Sequence, residues 1–201
     1  MIYKDGYLLT EAGGIVMPPW EDPIMENAAK TICRKGGKIL NIGFGLGLID
    51  TYIQSYNPTE HWIIEPDPTV LKRMKEDGWY DKKNVTIVEG RFADVLPDIK
   101  TKFDGIYYDA LSNTKTKINF VANLYKNIKK GGVLGIWHPP TESLDMWSNT
   151  LRNNGYGVGT EVIDIPGGSI EEHKRVFGKW TDRKFINLYG IFYGRKDKSI
   201  I

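Results

Sequence analysis

Lys38-Ile39-Leu40-Asn41-Ile42-Gly43-Phe44-Gly45-Leu46-Gly47 is the stretch on which the fold turns. Residues 38–42 are a short apolar run that reads as a strand. The glycine loop follows, and Leu48–Tyr56 reads as a helix directly behind it. Glycines let the backbone turn sharply and come close to a ligand, while a helix N-terminus offers free amides. The same loop also serves as a purely structural tight turn, so alone it does not name a ligand.

Outward from this loop, strand and helix patterns alternate. Upstream, Ile24–Lys35 reads as a helix with Ile24, Ala28, Ala29, Ile32 and Cys33 on one face, stopped by Gly36-Gly37. Downstream, Glu60–Glu65 is a strand. Asp67–Asp77 is a helix with Asp67 and Pro68 as its start signal. Val85–Val88 and Phe103–Tyr108 are strands, and Ile118–Ile128 is a helix closed by Lys129-Lys130-Gly131-Gly132. Val133–Trp137 is a strand, and Glu142–Asn153 a helix stopped by Gly155. Short apolar strands between helices predict a parallel sheet covered on both faces. Gly159–Ile165 and Lys184–Tyr193 are strand-like with no convincing helix between them, Ser169–Val176 being at best a short one. They predict an antiparallel hairpin at one edge of a seven-stranded, mostly parallel α/β sheet. The connection 166–183 is a candidate mobile loop. Residues 1–25, with Pro18-Pro19 and Pro23, read as an arm of short turns, and residues 26–201 as a single domain.

Composition sets bounds. In 201 residues, 41% are hydrophobic and 26% charged, which excludes a disordered chain and allows a sizeable core. Lys and Arg number 27 against 25 Asp and Glu, a net charge of +2 that argues against electrostatically driven nucleic-acid binding. No apolar run is long enough for a membrane span, and the start lacks signal-peptide features. The single cysteine, Cys33, excludes an internal disulfide and a cysteine zinc cluster. These features predict a soluble, cytoplasmic protein, monomer or homodimer.

The cofactor reading rests on spacing. The loop is G-x-G-x-G, and the third glycine of the dinucleotide pattern would fall at Leu48, whose bulk opposes that motif. Glu65 ends the next strand, 22 residues after Gly43, where an acid can hold both ribose hydroxyls. An S-adenosyl-L-methionine site uses these parts, and its product is S-adenosyl-L-homocysteine. Gly43, Phe44, Gly45 and Gly47 would lie beside the methionine portion, and Glu65-Pro66 beside the ribose. In Glu89-Gly90-Arg91-Phe92-Ala93-Asp94, next to Arg91, Phe92 is placed to pack on the adenine and Asp94 to accept from its amino group. A capped turn leading into a helix is the alternative for this last loop.

The acceptor reading starts at Ile106-Tyr107-Tyr108-Asp109, which ends a strand where ligand crevices of open α/β sheets lie. Asp109 there borders both cofactor and acceptor. In the arm, Val16-Met17-Pro18-Pro19-Trp20-Glu21-Asp22-Pro23-Ile24-Met25 sets an aromatic wall beside a carboxylate. The alternative is a helix-entry staple, with Trp20 buried and Glu21 or Asp22 capping.

The run VMPPWEDPIM, with ILNIGFGLGLIDTYIQ, HWIIEPDPTVLKRMKEDGWYDKKNVTIVEGRFADVL and FDGIYYDALS, resembles two related families over roughly residues 14–137. They are guanidinoacetate N-methyltransferase and the fungal and plant protein-arginine delta-N-methyltransferase. ILNIGFGLGLIDTYIQ and MKEDGWYDKKNV look closer to the arginine enzyme, HWIIE to the guanidinoacetate enzyme. The chain reads as close to a minimal catalytic domain, without the extra N-terminal region of the arginine enzymes. The resemblance implies a Rossmann-like class I methyltransferase that uses S-adenosyl-L-methionine to methylate a guanidino nitrogen. It further implies that Glu21 and Asp109 clasp that group, that Trp20 lies in the arm closing over the site, and that Glu65 binds the ribose. The loops 43–47 and 92–94 would complete the cofactor site, and Tyr108 would line the pocket.

The chemistry explains the acids. A guanidinium has a pKa above ~12 and no free lone pair at neutral pH. Two carboxylates bind the planar cation, aim one nitrogen at the methyl, and offer a proton acceptor. Asp109 is the expected base and Glu21 the second clasp. One departure stands out. The families carry an asparagine near His138, and in the guanidinoacetate enzyme backbone amides just beyond it hold the acceptor carboxylate. Here Pro139 and Pro140 follow, with no N–H to give. His138 is a candidate acceptor contact, or a packed, hydrogen-bonded core histidine.

The expected acceptor is a small, guanidinoacetate-like compound, with arginine, in a protein or free, as the alternative. A non-catalytic S-adenosylmethionine-binding protein is a reading of another class, opposed by the presence of both acids. A nicotinamide-dependent oxidoreductase is opposed by Leu48 and by the lack of a credible Tyr–Lys pair.

Overall fold

Successive side chains of a strand point to opposite faces, and this alternation builds two cores on one sheet. The computed structural model describes residues 1–139, 142–165, 167–168, 171–172, 174 and 184–194. Strands β4 (Lys38–Ile42), β5 (Glu60–Glu65), β6 (Val85–Glu89), β7 (Phe103–Tyr108) and β8 (Ile128–Ile136) are parallel. β9 (Tyr156–Asp164) and β10 (Lys184–Phe192) form the antiparallel hairpin that the sequence predicts, and β10 pairs antiparallel with β8. The order is β6-β5-β4-β7-β8-β10-β9.

Ile39, Ile63, Tyr107 and Val133 face helices α1 (Asp22–Cys33), α2 (Leu48–Ser55) and α3 (Pro68–Glu76). Their strand neighbours Leu40, Ile64, Tyr108 and Leu134 face α5 (Thr114–Asn123) and α6 (Leu144–Asn153). A single-turn helix, α4 (Phe92–Val95), follows β6. The α3 start is the one predicted: the Asp67 carboxylate accepts from the amides of Thr69 and Val70 at 2.9 and 3.2 Å.

Two regions differ from expectation. α5 starts earlier, where the Asn113 side chain accepts from the Thr116 amide at 2.9 Å, and it ends at Asn123. The Lys129–Gly132 stretch therefore lies inside β8 rather than closing a helix. The β7–β8 register shifts between Phe103 and Gly105, which accommodates it, and Lys129 pairs with Asp104 at 2.7 Å. The arm is also more ordered than a run of turns. It forms an antiparallel meander of β1 (Ile2–Lys4), β2 (Tyr7–Leu9) and β3 (Ile15–Met17). Asp5 and Gly6, with φ of 51° and 81°, supply the two-residue hairpin turn between β1 and β2. A 3-10 turn, Pro19–Glu21, then leads into α1. Leu8, Met17 and Trp20 are buried against the α1 side of the sheet.

The β9–β10 connection returns to this arm. A Cβ on Gly167 would stand 2.7 Å from the Trp20 Cβ, and Tyr7 donates its hydroxyl to Glu172. His173, Phe177 and Trp180 lie outside the described residues, as do most of the expected short helix 169–176 and Pro140. Among the described residues, no helix is long and apolar enough to cross a membrane.

Candidate functional site

β4 and β7 are neighbours although β5 and β6 intervene in sequence, so the strand order reverses between them. A crevice opens at the carboxyl ends of strands at such a point. Gly43 leaves β4 there and Asp109 leaves β7. The Gly43 amide donates to the Ile64 carbonyl and the Asp109 amide to the Ile42 carbonyl, both at 2.9 Å. Gly43 has φ 96°, and a Cβ on it would lie 2.4 Å from the Asp109 carbonyl oxygen. Only glycine lets the loop and the acid-bearing strand end meet this closely.

Glu21 arrives from the arm. It holds the position that caps α1 yet makes no capping hydrogen bond. Its side chain instead turns inward and is 1% exposed. Glu21 Oε1 and Asp109 Oδ2 are buried with no hydrogen-bond partner. Burial first, then the charge of Asp109, raises the Glu21 pKa well above the carboxylate range. Burial pushes the Asp109 carboxyl up to about 7, with Lys117 opposing the rise and Asp50 adding to it. The charge of Asp109 thus reaches Glu21, and a buried carboxylate oxygen without a partner is costly unless a cation joins it.

Tyr107, which the sequence reading passed over, belongs with them. Its hydroxyl is buried without a hydrogen-bond partner, and its pKa is raised by burial, then by Asp109 and Glu21. Tyr108, expected to line the pocket, points to the opposite face. Its hydroxyl meets Ser112 Oγ at 2.8 Å and its ring lies 4.4 Å from that of Phe120. The period of two held the signal, since residues 107 and 109 share a face and 108 does not.

The parts assigned to the cofactor fall on both sides of the Gly43 turn. Glu65 is 5% exposed, and its two oxygens accept from the amides of Phe44 (2.8 Å) and Asp67 (2.9 Å). These bonds stitch the end of β5 to the glycine loop and still leave each oxygen a lone pair. The residues present therefore fit the ribose and methionine portions of S-adenosylmethionine. Phe92 is half-buried, and its ring packs edge-on against Tyr108 at 5.1 Å and Phe120 at 5.6 Å, at the border of the α5-side core. Pro66, Arg91 and Asp94 are exposed around the same rim.

The arm fastens to the glycine loop through residues that the sequence reading did not single out. Tyr3 donates its hydroxyl to the Gly45 carbonyl at 2.8 Å, and Met17 Sδ receives the Leu46 amide at 3.3 Å. A Cβ on Gly45, at φ 58°, would be 2.8 Å from that sulfur. A cavity of about 500 Å³ adjoins the loop here, lined by Tyr3, Tyr7, Pro19, Leu46, Leu48 and Arg73 among others. It is separate from the acid pair. Trp20 is 7% exposed within the core, in the arm as expected.

His138 is not aimed at the acids. It is 2% exposed, its Nε2 lies 3.2 Å from the Ile186 carbonyl, and its ring stacks on Phe185 at 5.5 Å. Burial lowers its pKa. The hairpin strand β10, lying against β8, claims this ring for the core.

Residues 4–159 match the family model described as guanidinoacetate N-methyltransferase. Over 176 residues the chain is 49% identical to protein arginine N-methyltransferase 2 of Saccharomyces cerevisiae, covering 81% of this chain and 40% of that protein. It is 39% identical over 176 residues to the protein of the same name from Yarrowia lipolytica, covering 79% and 37%. The chain thus spans about two fifths of the length of these curated relatives. Its fold is similar to that of precorrin-6y C5,15-methyltransferase from Geobacter metallireducens GS-15, with a TM-score of 0.66 at 13% identity, covering 93% and 94% of the two chains. A glycine loop at the reversal of strand order, an acid at the end of β5 and a matching family model over most of the length lead to one statement: the chain belongs to the guanidinoacetate N-methyltransferase family, on the class I S-adenosylmethionine-dependent methyltransferase fold.

Proposed function

We propose that this domain transfers a methyl group from S-adenosylmethionine to a guanidino nitrogen of arginine, in a protein or as the free amino acid. The observation that carries the reading is the pairing of Glu21 with Asp109, whose charge acts on it, each acid holding a buried oxygen that no protein group satisfies. A flat cation with donors along its edges answers both the charge and the hydrogen-bonding deficit. The small-acceptor expectation gives way to its alternative. The relatives named for arginine methylation, one at 49% identity, support arginine. The prolines after His138 also offer no amide for the carboxylate of a guanidinoacetate-like acceptor.

Bound S-adenosylmethionine supplies an electrophilic methyl on a sulfonium. Glu65 would hold the ribose, and the 43–47 loop the methionine portion. Glu21 and Asp109 would bind the guanidinium by charge-assisted hydrogen bonds and fix its plane. Holding the nitrogen in line with the methyl can supply ~7–11 kcal/mol of the barrier. As the new N–C bond formed and the S–CH3 bond broke, its electron pair staying on the sulfur of the departing S-adenosylhomocysteine, the nitrogen's proton would pass to Asp109. The raised pKa of that carboxyl, about 7, suits a group that is ionised before transfer and accepts a proton during it. The Tyr107 hydroxyl is buried within reach of the charges of both acids.

The experiment is methyl transfer to guanidinoacetate, free arginine and arginine-bearing peptides, with mass spectrometry locating the methyl. Arginine accepting and guanidinoacetate failing is the expected result. Transfer to guanidinoacetate alone overturns the arginine assignment, and transfer to none overturns the reading.

A further inference from the structure

Lys117 lies on the buried row of α5, at helical spacing with Phe120, Val121 and Leu124, and is 5% exposed. A lysine in such a row ordinarily runs its stem along apolar surface and lifts its ammonium into water. Here the ammonium ends inside, 3.3 Å from the Trp137 carbonyl oxygen and 5.4 Å from the centre of the Trp137 ring. That carbonyl stands just past β8. β7 and β8 pair with Tyr108 opposite Ile136, and the Trp137 amide donates to the Tyr108 carbonyl at 2.9 Å. One residue further along each strand come Asp109 and Trp137. α5 therefore delivers its charge to the strand end that bears Asp109. Each group acts on the other: Lys117 holds Asp109 down against burial, and Glu142 and Asp109 hold Lys117 up against burial. Glu142 is already engaged, its oxygens accepting from the Thr114 hydroxyl at 2.7 Å and the Trp147 indole at 2.8 Å.

We propose that Lys117 is a positioning residue, a resident cation on the strand side of Asp109 that opposes the effect of burial and keeps this carboxyl able to ionise when the acceptor arrives. It leaves the other edge of Asp109, together with Glu21, to the guanidinium of the acceptor. The inference rests on the guanidino-methylation reading. Once the acceptor draws both acids into their ionised forms, two carboxylates and one ammonium leave one net negative charge, which one guanidinium neutralises. Without the ammonium, two buried like charges would share a proton, and a protonated Asp109 could neither bind the cation ionically nor take its proton. The charged and titratable groups around the pair are Glu21 from the arm, Tyr107 and Tyr108 from β7, Asp50 from α2, Glu142 at the entry to α6 and His138 beyond β8.

The test is carboxyl-carbon NMR titration of Asp-labelled, ligand-free protein, with the Asp109 signal assigned by its loss in Asp109→Asn. Lys117→Met should raise the Asp109 midpoint by about one pH unit or more, and Lys117→Arg should return it most of the way. The acid limb of kcat/KM should move in the same direction, with the plateau at high pH kept. An unmoved midpoint in folded Lys117→Met, with folding checked by circular dichroism and thermal melting, overturns the proposal. So does a wild-type midpoint in the ordinary range near ~3.9. Lys117→Gln serves should the Met variant not fold. If the wild type methylates no guanidino acceptor, the functional reading falls while the NMR titration still decides the role of the lysine.

Discussion

Asp50, fully buried, and Asp109, partly buried with one oxygen out of water, both stand at the glycine-loop end of the sheet, yet their surroundings are opposite. Asp50 accepts from Asn41 Nδ2 at 2.8 Å and lies 3.0 Å from His61 Nε2. His61 Nδ1 meets Gln54 Nε2 at 2.9 Å, and Asn41 also donates to the Gly43 carbonyl at 2.9 Å. Each Asp50 oxygen thus faces a protein group beneath the glycine loop, one by a hydrogen bond and the other by the ion-pair contact with His61, while Asn41 Oδ1 has no hydrogen-bond partner. Asp109 and Glu21 form an open pair, with a bare oxygen on each. The same side chain, fully buried at position 50 and partly buried at position 109, thus braces the backbone where protein groups surround it. Where they do not, it awaits a ligand. Buried polar groups are normally satisfied, which makes the open pair the informative one.

Substitutions break the contrast in different currencies. The largest effect is expected from Asp109→Asn, which should lower methyl transfer by about 10²–10⁴-fold while calorimetry still registers S-adenosylmethionine. Near-normal turnover in that variant would move the base elsewhere. His61→Leu should act on the fold instead. Stripping Asp50 of its imidazole leaves a buried acid short of a partner, a loss of about 3–5 kcal/mol. At roughly 2–4 °C per kcal/mol, the melting temperature should drop by around 10 °C. An unchanged melt would mean that the Asp50–His61 contact is not a brace. Glu21→Gln keeps the shape of the clasp and removes its charge. The acceptor KM should rise by about 10- to 100-fold, from about 1.5–3 kcal/mol of charge-assisted hydrogen bonding, with little change in cofactor affinity.

The smallest effect is a pH dependence of stability. The Asp109 carboxyl titrates at about 7 in the fold, against ~3.9 when unfolded, so the folded state favours its neutral form. That contribution is complete below about pH 4 and disappears as pH rises through about 7. Glu21 shifts in the same direction. The ligand-free wild type should therefore lose stability across this window relative to Asp109→Asn, and at pH 8 the variant should melt a few degrees higher. Parallel melting curves for the two proteins from pH 4 to 8 would erase the distinction between Asp109 and Asp50.

Several features were legible because they depend on local chemistry. The glycine loop, the Asp67 cap and the acid ending β7 are each set by a handful of adjacent residues. The edge hairpin followed from two strand patterns with no crossover helix between them. The arm's meander was missed although Asp5-Gly6 carries a two-residue hairpin signal, because the flanking strands are only three residues each. Tyr108 was chosen over Tyr107 by adjacency, where the alternation of a strand favours the residue two positions from Asp109. Lys117 carried a signal as well, since a charge sat at the helical spacing of Phe120, Val121 and Leu124. His138 went to the core because a ring from β10 stacks on it, whereas Phe92 stays half-buried with its edge against rings of β7 and α5.

The order of residues alone determined that strands and helices alternate, that a glycine turn follows the first inner strand, and which acids stand at strand ends. These follow from periodicity and backbone freedom over a few residues. Only the folded molecule decided which acid is surrounded by donors and which is left open, because that depends on groups far apart in the chain. Glu21 and Asp109 are separated by most of the sheet in sequence, and only the seating of the arm across the β4–β7 reversal brings their charges together.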